Sequence, residues 1–226
     1  MTESLRILAF GAHPDDLETY VGAALLCMAR LGCSMTFVLA TDGEAGTLQP
    51  SEGTRVDEQL ASLEWFQRQT GTLPAFHRLC FVDASLSTCT DLRDACKAMI
   101  RMHEPHLVIA PSEDDAHQDH RALACALSAD VGVHVRWLDA EAASATHALV
   151  MDEATHCEKR TWMRHHLSQF PAPDGSRAHL PSGRDIEERI LERDAACGTR
   201  LGHDFAEPIE VCARLPNALA DLWSTL

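Results

Sequence analysis

A short apolar run, Leu5-Arg6-Ile7-Leu8-Ala9-Phe10, leads directly into Gly11-Ala12-His13-Pro14-Asp15-Asp16-Leu17-Glu18. The run reads as a buried strand. From Thr19 to Leu31 apolar residues recur at helical spacing, and the pattern stops at Gly32. One histidine and three carboxylates therefore crowd the turn between a first strand and a first helix. Open parallel α/β sheets bind ligands at the carboxyl ends of their strands. This turn reads as a metal or catalytic centre that a second cluster must complete.

The rest of the chain alternates in the same way. Met35–Ala40 is strand-like and runs into the turn-rich Thr41–Gly46, followed by a helical pattern from about Ser51 to Gly71. Leu79–Val82 reads as a third strand, Asp91–His103 as a third helix and His106–Ala110 as a fourth strand. A helix from Asp119 to about Val131, a strand at Ala148–Met151, a helix from Asp185 to about Cys197 and a late edge strand at Ile209–Cys212 complete the pattern. This βα order predicts one α/β domain over 1–226, a Rossmann-like, mostly parallel sheet with helices on both faces. The Pro- and Gly-rich stretch from Ser168 to Gly183 reads as a surface loop, because the chain beyond Gly183 is too short for its own core.

Composition narrows the partners. The formal net charge is −15 over 226 residues, and no stretch concentrates Lys and Arg into a phosphate footprint, so nucleic acid is not expected. The nine cysteines are odd in number and include no Cys-x-x-Cys pair, which argues against a disulfide framework or a thiolate metal site. Cys27, Cys80, Cys125 and Cys212 sit in apolar runs, where a free thiol behaves as a small hydrophobe. No window approaches about 18 consecutive apolar residues, and the N-terminus lacks the pattern of a signal peptide. A cytoplasmic protein without a membrane partner is expected.

The second cluster is Asp114-Asp115-Ala116-His117-Gln118-Asp119-His120, directly after the fourth strand. In a parallel sheet both clusters leave the same edge, so His13, Asp15, Asp16, His117 and His120 can converge. Two imidazoles and a carboxylate suit zinc with an open fourth position. Asp15 and Asp16 point differently, so one can bind metal while its neighbour faces a water. His117 and His120, three apart at a helix start, share roughly one face, and Asp119 and Glu18 can orient ligands from behind. Taken singly, Asp16 or Asp119 would be explained as a helix cap. Two mixed His/Asp clusters at strand ends are not explained that way. Ser112 and Ser168 lack a nucleophile elbow, and Gly43-x-x-Gly46 has neither the Lys nor the spacing of a nucleotide loop.

The Ala12–Asp16 stretch, with Gly11 before it and Glu18 after, resembles the signature of the PIG-L/LmbE-type zinc N-deacetylases, and His117-Gln118-Asp119-His120 resembles their His-x-Asp-His motif. Thr41–Gly46, Arg55 with Glu58, the run Lys159…His166-x-Ser168-Gln169 and Phe205-Ala206-Glu207 fall in the family's order. Gln118 and Phe205 stand where that family often has proline and tyrosine. The resemblance implies His13, Asp16 and His120 as ligands of Zn²⁺, with another divalent ion such as Fe²⁺ as the alternative. It implies Asp15 as general base, and His117 as the cationic group that stabilises the oxyanion or protonates the leaving amine, its tautomer held by Asp119. Arg55, Asp83 and Glu44 are the implied substrate contacts, and His166 is expected to support the pocket through a hydrogen bond. The implied reaction is removal of acetyl from a small N-acetylated amino sugar or its conjugate. The alternatives are an amidase for a larger acyl group and an inactive metal- or sugar-binding protein. A homo-oligomer is compatible with the surface loop.

Overall fold

The computed structural model describes residues 4–46, 54–128, 132–138, 145–170 and 186–225. Strands β1 (Arg6–Gly11), β2 (Ser34–Thr41), β3 (Ala75–Phe81), β4 (Leu107–Pro111), β5 (Val135–Trp137), β6 (His147–Met151), β7 (Phe205–Val211) and β8 (Ser224–Thr225) form one sheet in the order β3-β2-β1-β4-β5-β7-β6-β8. Pairing is parallel from β3 through β5, whereas β7 runs antiparallel to both β5 and β6. The six helices among the described residues are α1 (Asp16–Arg30), α2 (Thr54–Thr70), α3 (Leu92–His103), α4 (Gln118–Ser128), α5 (Glu153–Met163) and α6 (Ile186–Leu201).

Alternation along β1 explains the layering. Ile7 and Ala9 point into a core shared with Leu25, Phe66, Trp162 and Ile190, from α1, α2, α5 and α6. Leu8 and Phe10 point into a second core with Cys96 and Leu123, from α3 and α4. A strand buried on both faces reads as a continuous apolar run, which is why β1 and β4 stand out in the sequence. The α/β sheet with helices on both faces is thus as expected. No helix among the described residues is long and apolar enough to cross a membrane.

Three expectations are corrected. Ile209 and its neighbours lie not at an edge but in β7, between β5 and β6, where Pro208 pairs with Ala148. Strand β5 and helix α5 were not anticipated: β5 has three residues, and α5 is mostly polar, burying only His156, Lys159, Trp162 and Met163. Cys80, Cys125 and Cys212 are exposed rather than packed. Within the 168–183 stretch only Ser168, Gln169 and Phe170 are described. Ser168 donates to Glu58 through both its backbone N–H and its hydroxyl, at 2.7 Å each, tying this turn to α2.

Helix α1 carries a break that the far end of the chain repairs. Val21 has φ −137° and ψ 16°, outside helical values. The i→i−4 pattern would pair the N–H groups of Ala23 and Ala24 with the carbonyls of Thr19 and Tyr20. Those N–H groups donate instead to the Glu207 carboxylate, at 3.1 and 3.0 Å. The two carbonyls face the Arg193 guanidinium at 3.5 Å, which also donates to the Leu138 carbonyl at 2.7 Å. Lys159 Nζ bridges Glu207 (2.8 Å) and Asp194 (2.7 Å), and Arg193 pairs with Asp194, all of them buried. Removing one member of a buried charge network leaves its partners unpaired. Glu207→Ala is therefore expected to lower the unfolding free energy by about 3–5 kcal/mol in urea titration, and an unchanged midpoint would contradict the role given to Glu207.

Candidate metal centre

The strand order reverses at β1. The chain builds outward through β2 and β3, then returns to place β4 on the other side of β1. The turns after β1 and β4 therefore face each other across the crevice where such sheets bind ligands.

Backbone requirements shape the first turn. Asp15 adopts φ 96° just ahead of α1, a left-handed value rare for a residue with a side chain. That conformation lets Asp16 fold back, so that its Oδ2 accepts the N–H groups of Ala12 (2.7 Å) and His13 (2.9 Å). The other oxygen, Oδ1, is left 3.2 Å from His120 Nε2 on α4. Asp15 turns the other way and meets the Arg55 guanidinium at 3.1 Å. Arg55 is buried and also donates to the carbonyls of Gly43 and Pro14. A Cβ on Gly43 would stand 2.5 Å from Arg55 Nη1 and 2.9 Å from Pro14 Cδ, so only glycine lets that turn close on the arginine.

Three imidazoles pack together, with ring centroids 4.7 Å apart for His13–His117, 4.7 Å for His117–His120 and 5.4 Å for His13–His120. Ligand atoms of His13, His117 and His120 all lie within 4.8 Å of one another, as do those of His13, Asp83 and Asp119. His13 Nδ1 is 3.7 Å from Asp16 Oδ2, while its Nε2 is 3.0 Å from Asp83 Oδ1 and 3.4 Å from Asp119 Oδ2. His120 has Asp16 at Nε2 and Asp115 Oδ2 at Nδ1, 3.0 Å away. Trp137, which donates to the Phe10 carbonyl at 3.2 Å, and Tyr20 meet the His120 ring edge to face.

A metal ion fits this donor set. His13 and His120 each present one nitrogen towards Asp16 and rest the other against a carboxylate, as metal-bound histidines do. His117 differs: its Nδ1 accepts the Asp119 backbone N–H at 3.2 Å, which puts the proton of the neutral ring on Nε2.

The charge balance agrees. Burial works to lower the His13 pKa, but Asp119, Asp16 and Asp83 outweigh it and raise it well above the ordinary value. Burial likewise opposes the charge on His120, yet Asp16 and Asp115 hold its pKa up at about 9. Asp16 is pulled well below the ordinary carboxylate range by His120 and His13, against its own desolvation. Asp83 is desolvated too, but His13 and two backbone N–H groups bring it down to about 2. Asp15 is shifted up, first by burial, against the pull of Arg55. His117, though its side chain is exposed, is shifted down by the partial desolvation it undergoes and then by the other two imidazoles. Near neutral pH it is therefore uncharged, not the cation expected from the sequence.

The structure gathers His13, Asp15, Asp16, His117, Asp119 and His120 into one site. It alters what some of them touch. The Asp119 carboxylate does not reach His117; it accepts N–H groups from Ala84 (2.7 Å) and Leu86 (3.1 Å) and leans on His13. Asp83 also backs His13, and Arg55 engages Asp15 and two carbonyls, so both lie beneath the site more than on its rim. Glu44 is exposed on the turn Glu44–Gly46, whose Ala45 N–H donates to Asp83 at 2.8 Å. His166 is buried with Nε2 3.3 Å from Glu18 Oε1, an ion-pair contact in place of the expected hydrogen bond, since neither ring nitrogen has a hydrogen-bond partner among the described residues; that oxygen accepts from Gln59 and Ser62. Asp115 was not singled out from sequence, since nothing there distinguishes it from Asp114.

A family model described as GlcNAc-PI de-N-acetylase, PIG-L, matches residues 8–130. The chain is 28% identical over 121 residues to the diacetylchitobiose deacetylase of Thermococcus kodakarensis, covering 51% of this chain and 45% of that one. It thus spans about half the length of that curated relative. Among solved structures it is similar to the conserved protein TT1542 from Thermus thermophilus, with a TM-score of 0.71 and 25% identity over 94% of this chain and 96% of that one. The N,N'-diacetylchitobiose deacetylase of Pyrococcus horikoshii superposes with a TM-score of 0.73 at 19% identity, over 97% of this chain and 89% of that one, a likeness of fold. The family match contains both the turn after β1 and the loop after β4, and the chain belongs to the PIG-L family.

Proposed function

We propose that this protein is a zinc-dependent hydrolase that removes acetyl from a small N-acetylated amino sugar or amino-sugar conjugate. The observation that carries the reading is Asp15, a buried carboxylate beside the ligand set with no place in it, held by Arg55. A site that only stored metal or bound sugar has no use for that group. The deacetylase relatives support the choice of acetyl and sugar.

His13, Asp16 and His120 would hold the ion, and His117 would not, because its Nε2 carries the proton. Bound Zn²⁺ supplies a Lewis acid that acidifies water and polarises an amide carbonyl. The protein's own groups then perform the rest. Asp15 takes the proton of the attacking water as the C–O bond forms. Its raised proton affinity suits that task, and Arg55 keeps the carboxylate aimed. His117 Nε2–H donates to the oxygen that gains charge in the tetrahedral intermediate. Asp15 returns the proton to the nitrogen as the C–N bond breaks, leaving a free amine and acetic acid, which gives its proton to solvent and departs as acetate.

Acetate release from a panel of N-acetylglucosamine derivatives tests the reading. Zinc-loaded protein is expected to release acetate from at least one member, and a stoichiometrically loaded protein that releases none would overturn the choice of acetyl. Asp15→Asn is expected to lose about 10²–10⁴-fold in kcat with its zinc retained, and full activity in that variant would refute the base assignment. His117→Ala is expected to lower kcat by about 10²–10³-fold, the cost of one oxyanion donor, again with metal retained. The charge balance sets the pH dependence of loading. Without metal, His13 and His120 hold protons through neutral pH, the latter up to about 9. Metal must displace those protons, so affinity should rise with pH from 6 to 8 in chelator competition. A flat profile would mean that these imidazoles are not the ligands.

A further inference from the structure

We propose that Asp115 is a positioning residue for the metal centre: it keeps the His120 proton on Nδ1 and so reserves the Nε2 lone pair for the ion. The proposal rests on reading His13, Asp16 and His120 as ligands.

Asp115 is built in, although it stands in an exposed run. Glu113, Asp114, Ala116, His117 and Gln118 are all exposed, whereas Asp115 is 5% exposed. Its Oδ1 accepts the His117 N–H at 2.7 Å, closing a turn on its own backbone. Arg121 Nη1 donates to the carbonyls of Asp115 and Ala116 at 2.7 Å each, pinning the loop to α4. The side chain is therefore aimed before any metal arrives. Its other oxygen, Oδ2, lies 3.0 Å from His120 Nδ1 as a buried ion-pair contact, and neither atom has a hydrogen-bond partner among the described residues, so each is committed only to the other's charge.

The His120 ring thus has a carboxylate at each nitrogen, and a neutral imidazole has one proton to share between them. A carboxylate at Asp115 has no proton to offer and its negative charge attracts one, so it favours the tautomer with Nδ1–H. Nε2 then faces Asp16 Oδ1 as a lone pair, which is the arrangement a cation between them requires. Trp137 and Tyr20 pack edge to face with the ring and keep it from turning away.

Asp115→Asn separates this role from support of the loop. Its amide oxygen can keep the bond from the His117 N–H. Its NH₂ group then replaces Oδ2 and points a donor at Nδ1, driving the proton onto Nε2, where the ion would bind. Asp115→Ala breaks the turn but leaves Nδ1–H to water. Zinc affinity, measured by competition with a chromophoric chelator, is expected to fall by about 10–100-fold in Asp115→Asn and to fall less in Asp115→Ala. The melting temperature of the metal-free protein should follow the opposite order, with Asp115→Asn nearer to wild type. If Asp115→Ala does not fold, Asp115→Ser, which keeps a turn acceptor but no carboxylate, takes its place. Wild-type zinc affinity in Asp115→Asn, or affinity that simply tracks melting temperature, would overturn the proposal. His120→Gln separates the two layers of inference. If it too binds zinc as wild type does, the ligand set is wrong; if it loses zinc while Asp115→Asn does not, the role of Asp115 alone fails.

Discussion

The Asp16 carboxylate faces two ways. One oxygen accepts two N–H groups from its own turn, and the other meets His120, which follows a strand about a hundred residues later in the chain. The first contact holds the turn after β1 in a shape that forces Asp15 into a left-handed conformation. The second joins that turn to the loop after β4. Everything else in the centre is arranged around this bridge: His13 on one flank, Asp15 turned towards Arg55, and His117 above. It works only because β1 and β4 are neighbours with their carboxyl ends at one edge of the sheet.

Three carboxylates, Asp83, Asp115 and Asp119, stand against the imidazoles of His13 and His120. Each is fixed by backbone N–H groups before it meets a histidine, so the fold sets their aim. Burying so much negative charge is costly unless it is paired. Protonated His13 and His120, whose pKa values these carboxylates raise, compensate that charge, and in the proposed reading a divalent ion would do the same. The broken first helix obeys a related logic further along α1, where Glu207 accepts the freed N–H groups and Arg193 faces the freed carbonyls.

What was legible in the sequence was local. The β1 and β4 runs are apolar because both faces of those strands are covered, and the two His/Asp clusters are dense enough to exclude a capping explanation. Strand β5 is too short to show a period, and α5 hides its apolar face among polar residues. The place of β7 depends on antiparallel partners more than fifty residues away, which no local pattern reports. The same holds for side chains. Lys159 and Glu207 stand out in the sequence only through the family resemblance, with no hint that they meet, Asp194 does not stand out at all, and Asp115 differs from Asp114 only in which way the turn points it. His117 was expected to be charged. Partial desolvation and the close approach of two other imidazoles, invisible as spacing, shift it further towards the neutral form.

Diffraction from zinc-loaded crystals at the zinc absorption edge would locate the ion. One anomalous peak is expected, bonded at about 2.0–2.2 Å by His13, Asp16 and His120, with His117 outside bonding distance and Asp15 unligated. A peak bonded by His117, or one lodged among His13, Asp83 and Asp119, would contradict that ligand set.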